Sequence, residues 1–324
     1  MSEQLTVWCN TTLPPDAIEQ LRDGLAPHRL LLSQKQTYNL GVSEGDPALE
    51  QAEVAFGQPN PQQVMKLGKL RWVHLTTAGF TRYDRDDLRQ AMRQRHAIMT
   101  NSSTVYAEPC AQHAVAFMMA LARCLPDAME NQRTDRRWIA KDLRARNQLL
   151  CDQTALIVGF GAIGRRIAEL LAPYRMNLIA VRRKPRGDEP VRTVAESQIE
   201  DFLPTADHVI DVLPDSNSTN GFFNVDRLKL FKSSAHFYNI GRGSTVDQDV
   251  LAAMLQSGCL AAAYLDVMTP EPLPPDHPLW TTPRCYITPH TAGGHGGEFK
   301  SLVAHFLDNF HRFIHREPML DQII

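Results

Sequence analysis

Residues 154–183, TALIVGFGAIGRRIAELLAPYRMNLIAVRR, decide how this chain folds. An apolar run with β-branched residues leads directly into the spacing Gly159-x-Gly161-x-x-Gly164. The next apolar positions recur at helical intervals, and a second apolar run follows at 176–181. A GxGxxG spacing alone is a weak signal, because a glycine-rich turn without a ligand also produces it. Strand, glycine turn, helix and strand in this order predict the first half of a dinucleotide-binding unit.

Each glycine of this turn has a separate physical task. Gly159 permits the tight turn out of the strand, Gly161 lets the backbone approach a pyrophosphate, and Gly164 allows the helix to pack closely on the strand. The N–H groups of Ala162, Ile163 and Gly164 begin the helix without intrahelical partners, so they are predicted to bind the pyrophosphate.

The second strand ends in Arg182, Arg183 and Lys184, where a NAD site usually carries an acidic residue for the ribose hydroxyls. Guanidinium groups suit a 2′-phosphate in both charge and fork geometry. The pattern therefore predicts Arg182 and Arg183 as ligands of NADP(H), with NAD(H) remaining possible. A solvated basic strand end is the alternative.

Composition narrows the class of protein. The 324 residues suggest about two domains, and 34 basic against 36 acidic residues create no net field that would attract nucleic acid. Six scattered cysteines form no C-x-x-C pair, so neither a disulfide framework nor a zinc site is indicated. His311 and His315 lie one helical turn apart but have no obvious third ligand, and no metal is expected. The longest apolar stretch, 114–122, is too short to span a bilayer, which favours a cytoplasmic protein without a membrane partner.

The chain before the glycine turn predicts a first α/β domain. Apolar runs at 5–9, 30–32, 54–56, 72–75 and 97–99 alternate with helical patterns, clearest at 16–25 and 85–95, which indicates a parallel sheet covered on both faces. Residues 107–125 predict a helix that is buried on nearly all sides and ended by Pro126. The polar stretch 127–150 is then predicted to be a surface segment or an arm that takes part in an interface. Residues 185–196, after the glycine unit, are predicted to be loop.

Four further strands are predicted at 208–212, 236–240, 261–265 and 285–287, and polar or turn residues follow them. Ligands of open parallel sheets bind at such strand ends. Arg242, Glu271 and His290 lie there or in the loops beyond. Reduction of a 2-keto acid needs a cation for the substrate oxygens, a proton donor and a carboxylate that orients the donor. The alternatives are that Arg242 lies in a surface turn, that Glu271 lies in a solvated loop and that His290 is a core histidine.

Five motifs in order, VGFGAIG (158–164), VLP (212–214), NIGRG (239–243), LDV with EPL (265–267, 271–273) and TPHTAG (288–293), resemble the D-isomer-specific 2-hydroxyacid dehydrogenase family over nearly the whole chain. The resemblance, which is to its glyoxylate/hydroxypyruvate reductases, implies that Arg242 binds the substrate carboxylate, His290 is the general acid/base and Glu271 pairs with it. It also implies that Asp266 meets the nicotinamide carboxamide. The remaining residues implied for the cofactor are Leu213, Pro214 and Ile240, and those for the substrate carboxylate are Thr77, Ala78 and Gly79, through backbone N–H groups.

The resemblance also implies a topology that motif order alone would not predict. Two doubly wound parallel-sheet domains are expected, a Rossmann nucleotide-binding domain (101–292) inserted into a flavodoxin-like substrate domain (1–100 and 293–324). A homodimer and a small 2-keto or 2-hydroxy acid as substrate are expected with it, whereas the physiological direction and the particular acid stay open.

Two other classes compete with this one. Formate dehydrogenases resemble this scaffold but have glutamine where Glu271 stands, so Glu271 favours the hydroxy acid class. Dinucleotide-sensing interaction proteins of the corepressor type can keep all three residues and remain the alternative. One departure from the family concerns the helix motif usually written Ala-Glu-His, which is Ala111-Gln112-His113 here.

Overall fold

The computed structural model describes residues 4–38, 41 and 43–324. The chain forms two compact units, Met1–Tyr106 with His295–Ile324, and Ala107–Gly294. The strands are β1 Thr6–Thr11, β2 Arg29–Thr37, β3 Val54–Gly57, β4 Trp72–Leu75, β5 Ile98–Thr100, β6 Thr154–Val158, β7 Asn177–Arg182, β8 Arg192–Ala195, β9 His208–Asp211, β10 His236–Asn239, β11 Ala262–Leu265 and β12 Cys285–Ile287. The helices are α1 Pro15–Leu25, α2 Pro61–Lys66, α3 Asp86–Gln94, α4 Ser103–Ala122, α5 Leu125–Arg133, α6 Ala140–Arg146, α7 Ala162–Leu171, α8 Val225–Leu228, α9 Gln248–Ser257 and α10 Glu298–His315.

The first unit contains a five-stranded parallel sheet in the order β2-β1-β3-β4-β5. Four of the five strands coincide with the apolar runs of the sequence to within two residues, whereas β2 extends to Thr37, five residues beyond its run. The terminal helix α10 completes this unit, because the ring of Phe306 stacks on Phe56 at 4.3 Å and on Trp72 at 5.1 Å between ring centroids. The last helix therefore shares a core with strands from the beginning of the chain.

The second unit contains a seven-stranded parallel sheet in the order β12-β11-β10-β9-β6-β7-β8. Together the two sheets confirm the predicted class of two parallel α/β domains. The prediction of a loop over 185–196 is wrong in its second half, because β8 pairs there with β7, Val194 opposite Val181. Only Val194 of this short strand is buried, so the sequence carries too few apolar residues to reveal it.

Two predictions about the long central helix are wrong. The helix α4 ends at Ala122, before Pro126, and Pro126 instead lies in the first turn of α5, where its missing N–H costs no hydrogen bond. Nor is α4 buried on nearly all sides, since only five of its twenty residues are buried. The polar segment beyond it is exposed as expected: neither α5 nor α6 contains a buried residue, and the Trp138 side chain is 97% exposed.

The helix α8 is short and ends at Leu228. Within residues 4–38, 41 and 43–324, no helix combines the length and apolar character that crossing a membrane requires.

Candidate active site

The register of the second sheet aligns the carboxyl ends of five strands. Val158 lies opposite Asp211, Asp211 opposite Asn239, Asn239 opposite Leu265, and Leu265 opposite Ile287. The loops that follow these residues therefore leave the sheet at one edge. The strand order reverses beside β6, and in open parallel sheets ligands bind outside the carboxyl ends of the strands at such a reversal.

The loop from β6 to α7 fits a dinucleotide in its backbone geometry. Gly159 has a φ of +101°, and a Cβ there would lie 2.8 Å from the Val212 carbonyl oxygen. A Cβ on Gly164 would lie 2.2 Å from the Gly159 carbonyl oxygen, so close packing of α7 excludes any side chain. At Gly161, in contrast, a Cβ would meet no atom within 4 Å beyond its own chain neighbours. Space is therefore open where a pyrophosphate would approach the first turn of α7.

Asp211 ties together two loops at this edge, and its carboxylate is fully buried. One carboxyl oxygen accepts a hydrogen bond from the Leu213 backbone N–H at 2.9 Å, and the other contacts the Thr245 hydroxyl. Burial raises the pKa of Asp211 to about 7, although its contacts with the Thr245 hydroxyl and the Leu213 N–H oppose the rise. Of the predicted cofactor residues in these loops, Leu213 and Ile240 are buried, whereas Pro214 is exposed.

The two arginines after β7 differ in their surroundings. Arg182 Nη1 lies 2.9 Å from Glu189 Oε1, and the Glu189 side chain is only 2% exposed. The Glu189 carboxylate also accepts hydrogen bonds from the backbone N–H groups of Arg186 and Gly187. These hydrogen bonds, followed by the one from Arg182, lower the pKa of Glu189 to about 2. Arg183 is exposed and forms no ion pair with any residue that the structure describes.

His290 and Glu271 form a hydrogen-bonded pair, with 2.8 Å between His290 Nδ1 and Glu271 Oε2. The other Glu271 oxygen accepts from the Met268 backbone N–H at 2.9 Å, which fixes the carboxylate. Partial burial opposes ionisation of Glu271, but the hydrogen bonds from His290 and Met268 outweigh it and lower its pKa. The pair therefore presents an imidazole whose Nδ1 is held by a carboxylate and whose Nε2 has no hydrogen-bond partner among the described residues.

Arg242 stands between two glycines because the backbone on both sides is tightly packed. A Cβ on Gly241 would lie 2.6 Å from the Leu213 carbonyl oxygen, and one on Gly243 would lie 2.1 Å from the Met268 carbonyl carbon. Asn239 fixes the same turn: its side chain accepts from Gly241 N–H and donates to the Arg242 carbonyl oxygen, both at 2.9 Å. The sequence GRG is thus required by the packing of the turn that carries the arginine.

Asp266 holds the loop of His290 in place. Its buried carboxylate accepts hydrogen bonds from the Thr288 hydroxyl and from the backbone N–H groups of Thr291, at 2.9 Å, and Ala292, at 3.0 Å. His290 itself has a φ of +53°, which L residues seldom adopt, so the loop needs such external support. The carboxamide contact implied for Asp266 stays a prediction, since these donors already surround the carboxylate.

Thr77, Ala78 and Gly79 lie in the first unit, in the loop after β4. Asn101 donates to the Ala78 carbonyl oxygen at 2.7 Å, and the Thr77 hydroxyl donates to the Gly79 carbonyl oxygen at 2.6 Å. None of the three backbone N–H groups donates a hydrogen bond to another atom in the described part of the chain. They are therefore available to an anion.

Two functional candidates are not apparent from the sequence. Glu189 falls in a predicted loop, and Asp211 at an ordinary strand end. A carboxylate directly after the apolar residues Val209 and Ile210 of β9 is the available signal for Asp211, since buried acids need partners. No local signal connects Glu189 to Arg182. No group of three residues suited to a metal ion occurs within the described ranges.

Comparison with known proteins agrees with this geometry. The sequence model for the NAD-binding domain of D-isomer-specific 2-hydroxyacid dehydrogenases matches residues 115–292. The chain belongs to this family. The glyoxylate/hydroxypyruvate reductase B of Klebsiella pneumoniae is 28% identical over 310 residues, covering 92% of this chain and 91% of that protein. The crystal structure of a family member from Xanthobacter autotrophicus in complex with NADPH and MES superposes with a TM-score of 0.82 at 26% identity, covering 100% of this chain and 98% of that one.

Some similarities are confined to part of the chain. The human glyoxylate reductase/hydroxypyruvate reductase is 35% identical over 188 residues, which cover 57% of this chain and 57% of that enzyme. The chain thus matches little more than half the length of that relative.

Proposed function

We propose that the protein reduces small 2-keto acids of the glyoxylate or hydroxypyruvate kind to D-2-hydroxy acids, with NADP(H) favoured over NAD(H). The observation that carries the proposal is the 2.8 Å pair of His290 with Glu271, on the sheet edge that also bears Arg242 and the glycine turn. The names of the Klebsiella and human relatives support this substrate class. No observation favours the alternative of a dinucleotide-sensing interaction protein.

The three side chains divide the chemistry of keto reduction among them. Arg242 binds the substrate carboxylate and carbonyl oxygen, and its charge polarises the C=O bond. His290 gives its Nε2 proton to that oxygen while the carbonyl carbon is reduced, so the alkoxide never forms as a free anion. Glu271 accepts from Nδ1 and thereby orients the ring and stabilises its charged form. A bound nicotinamide dinucleotide supplies the hydride.

Residues of the glycine turn would hold the dinucleotide. The N–H groups of Ala162, Ile163 and Gly164 would bind its pyrophosphate, and Arg182 with Arg183 its 2′-phosphate. Leu213, Pro214, Ile240 and Asp266 complete the proposed cofactor site. The unpaired N–H groups of Thr77, Ala78 and Gly79 support a further proposed role for them, in binding a carboxylate of the substrate.

The proposal extends to assembly and location. A homodimer is supported by the segment that contains α5 and α6, where Met129, Trp138 and Leu149 are 57, 97 and 69% exposed. Large exposed apolar side chains are typical of protein interfaces. If this segment forms the interface, Trp138→Ser shifts the mass measured by light scattering toward the monomer, and an unchanged mass contradicts the assignment. All six cysteines, each within the described ranges, are free, which supports a reducing compartment such as the cytoplasm.

The test of the function is a panel of 2-keto acids assayed with NADPH and NADH by loss of reduced-cofactor absorbance. Arg242→Gln is expected to raise KM and lower kcat together, because one guanidinium serves both the carboxylate and the developing negative charge. Arg144→Gln, on an exposed face of α6, is the matched control and is expected to change neither. A wild type that consumes neither cofactor with any acid of the panel contradicts the proposal. So does an Arg242→Gln variant whose only defect is in cofactor affinity.

A further inference from the structure

We propose that Asp211 is a protonated positioning residue, and that its proton completes a hydrogen-bond relay through Thr245 to the carbonyl of Arg242. The relay would hold the Arg242 turn in its substrate-binding geometry and release it as Asp211 ionises. The role of Arg242 rests on the proposed function, whereas the proton on Asp211 does not.

The proton can be located by counting donors. The Thr245 hydroxyl has a single hydrogen, yet its oxygen lies 2.6 Å from the Arg242 carbonyl oxygen and also contacts Asp211 Oδ2. The carbonyl can only accept, and it also accepts from Asn239 Nδ2 at 2.9 Å and from the Thr245 N–H at 3.2 Å. Two oxygens 2.6 Å apart nevertheless need a hydrogen between them, so the hydroxyl hydrogen points to the carbonyl. Asp211 Oδ2 must then be the donor toward Thr245. The other Asp211 oxygen accepts from the Leu213 N–H, which leaves the proton on Oδ2.

An ionised Asp211 would break this arrangement. The Thr245 hydrogen would turn to the carboxylate, and the Thr245 and Arg242 oxygens would face each other at 2.6 Å as two acceptors without a hydrogen between them. Such a contact is repulsive, so the turn would move. Arg242 directly precedes Gly243, where an added Cβ would collide with the Met268 backbone. The turn therefore has little room to move without displacing the Arg242 guanidinium.

The surroundings of Asp211 favour the neutral acid. Strand β6 presents Val158 to it and strand β10 presents Asn239, neither of which is charged. The charged groups of the adjoining loops are Arg242, whose Nη1 donates to its neighbour's carbonyl, Asp215, which accepts from Ser244 at 2.7 Å, and Asp247, which accepts from the Val250 N–H at 3.1 Å. The other ionisable groups of β9 and β10 are His208 and His236, at the opposite ends of those strands, and Tyr238, whose hydroxyl contacts His208 Nδ1 at 3.0 Å and whose pKa burial raises. No cation among the described residues forms an ion pair with Asp211.

Binding of oxalate to the NADP⁺-loaded protein provides the test, because it needs no turnover. With a pKa of about 7, only about one molecule in thirty keeps the proton at about pH 8.5, so the oxalate Kd of the wild type rises up to roughly thirtyfold from about pH 6. Asp211→Asn keeps one donor and one acceptor at every pH. Any other dependence of oxalate binding on pH is common to both proteins, so the ratio of their Kd values isolates Asp211. The ratio of the wild-type Kd to the Asp211→Asn Kd is expected to rise from near one at about pH 6 to roughly ten or more at about pH 8.5. A ratio that is constant with pH overturns the proposal.

Thr245 supplies a second pair of variants. Thr245→Val keeps the shape but breaks the relay, and is expected to weaken oxalate binding at all pH values, whereas Thr245→Ser restores it. A Thr245→Val protein that binds oxalate as the wild type does contradicts the relay. An Asp211→Asn protein that does not fold contradicts it as well, because asparagine can make both hydrogen bonds of the protonated acid.

The pH dependence of unfolding separates this inference from the proposed function. The folded protein keeps a proton that the unfolded chain releases above about pH 4, so wild-type stability falls relative to Asp211→Asn up to about pH 7 and then levels off. This difference is expected even if the protein reduces no keto acid. Parallel stability curves show that Asp211 is ionised in the folded state and refute the protonated relay.

Discussion

Replacing Arg183 by alanine isolates the contact on which the proposed NADP(H) preference depends. Arg182 already donates to the nearly buried carboxylate of Glu189, whereas Arg183 is exposed and has no ion pair among the described residues. The guanidinium that is not engaged elsewhere has the most to offer a 2′-phosphate. We therefore expect Arg183 to contribute more than Arg182, although both belong to the proposed site.

The expected magnitude follows from a charge-assisted hydrogen bond, which contributes roughly 1.5–3 kcal/mol. Since about 1.4 kcal/mol is tenfold in affinity, Arg183→Ala should raise the NADPH Kd roughly ten- to a hundredfold. NADH lacks the phosphate, so its Kd should stay unchanged. Glu189→Gln should act in the opposite direction, because it frees Arg182 and removes a negative charge. The removed charge contributes about 1 kcal/mol after screening, so the NADPH Kd of Glu189→Gln should fall roughly fivefold.

The assay is a titration of both reduced cofactors by fluorescence at one fixed ionic strength, because salt screens these contacts. Arg186→Ala, another exposed arginine of the same loop, controls for the loss of one positive charge. A wild type that binds NADH more tightly than NADPH refutes the reasoning. It is equally refuted if Arg183→Ala leaves the ratio of the two Kd values unchanged, or if Arg186→Ala changes it as much.

Three further predictions concern the pair, the turn and the core. Glu271→Gln should lower kcat about a hundredfold or more while NADPH affinity is kept, because the imidazolium loses its counter-charge. In the wild type the hydrogen bonds from His290 and Met268 outweigh burial and lower the pKa of Glu271, so kcat should not fall between about pH 6 and pH 5, and an acid limb in that range contradicts the assignment. Gly243→Ala places a Cβ 2.1 Å from the Met268 backbone and should raise the keto acid KM, which a normal KM disproves. Phe306→Ala should lower the free energy of unfolding by about 3–5 kcal/mol, and a denaturant melt with an unshifted midpoint argues against the stacked core.

The sheets could be predicted from sequence because each buried strand is a short apolar run that ends at a turn residue. Trp72–Leu75 and Cys285–Ile287 agree with the prediction to the residue. The signal fails where a strand is not an apolar run: β8 reads RTVA, so nothing distinguishes it from the glycine- and proline-containing loop before it. Pro126 misleads because proline both ends one helix and begins the next, and local sequence does not tell the two apart.

The candidate site could likewise be predicted from the sequence only in part. Arg242, Glu271 and His290 could be named because each follows a recognisable strand, and the structure brings His290 and Glu271 into contact. The partners of Asp211 and Arg182 could not be named, because Thr245 and Glu189 reach them across 34 and 7 positions of the chain through packing that has no sequence period. Long-range hydrogen bonds are specified by the fold as a whole.

The most direct test of the account is the kcat of NADPH-dependent reduction in His290→Asn, with whichever of glyoxylate and hydroxypyruvate the wild type turns over. His311→Asn, the same change at an exposed position of α10, is the control. If His290 is the proton donor, kcat falls roughly 10²–10⁴-fold while the NADPH Kd stays as in the wild type, and the control keeps full activity. A His290→Asn enzyme with near-normal kcat contradicts the assignment of His290 as the acid.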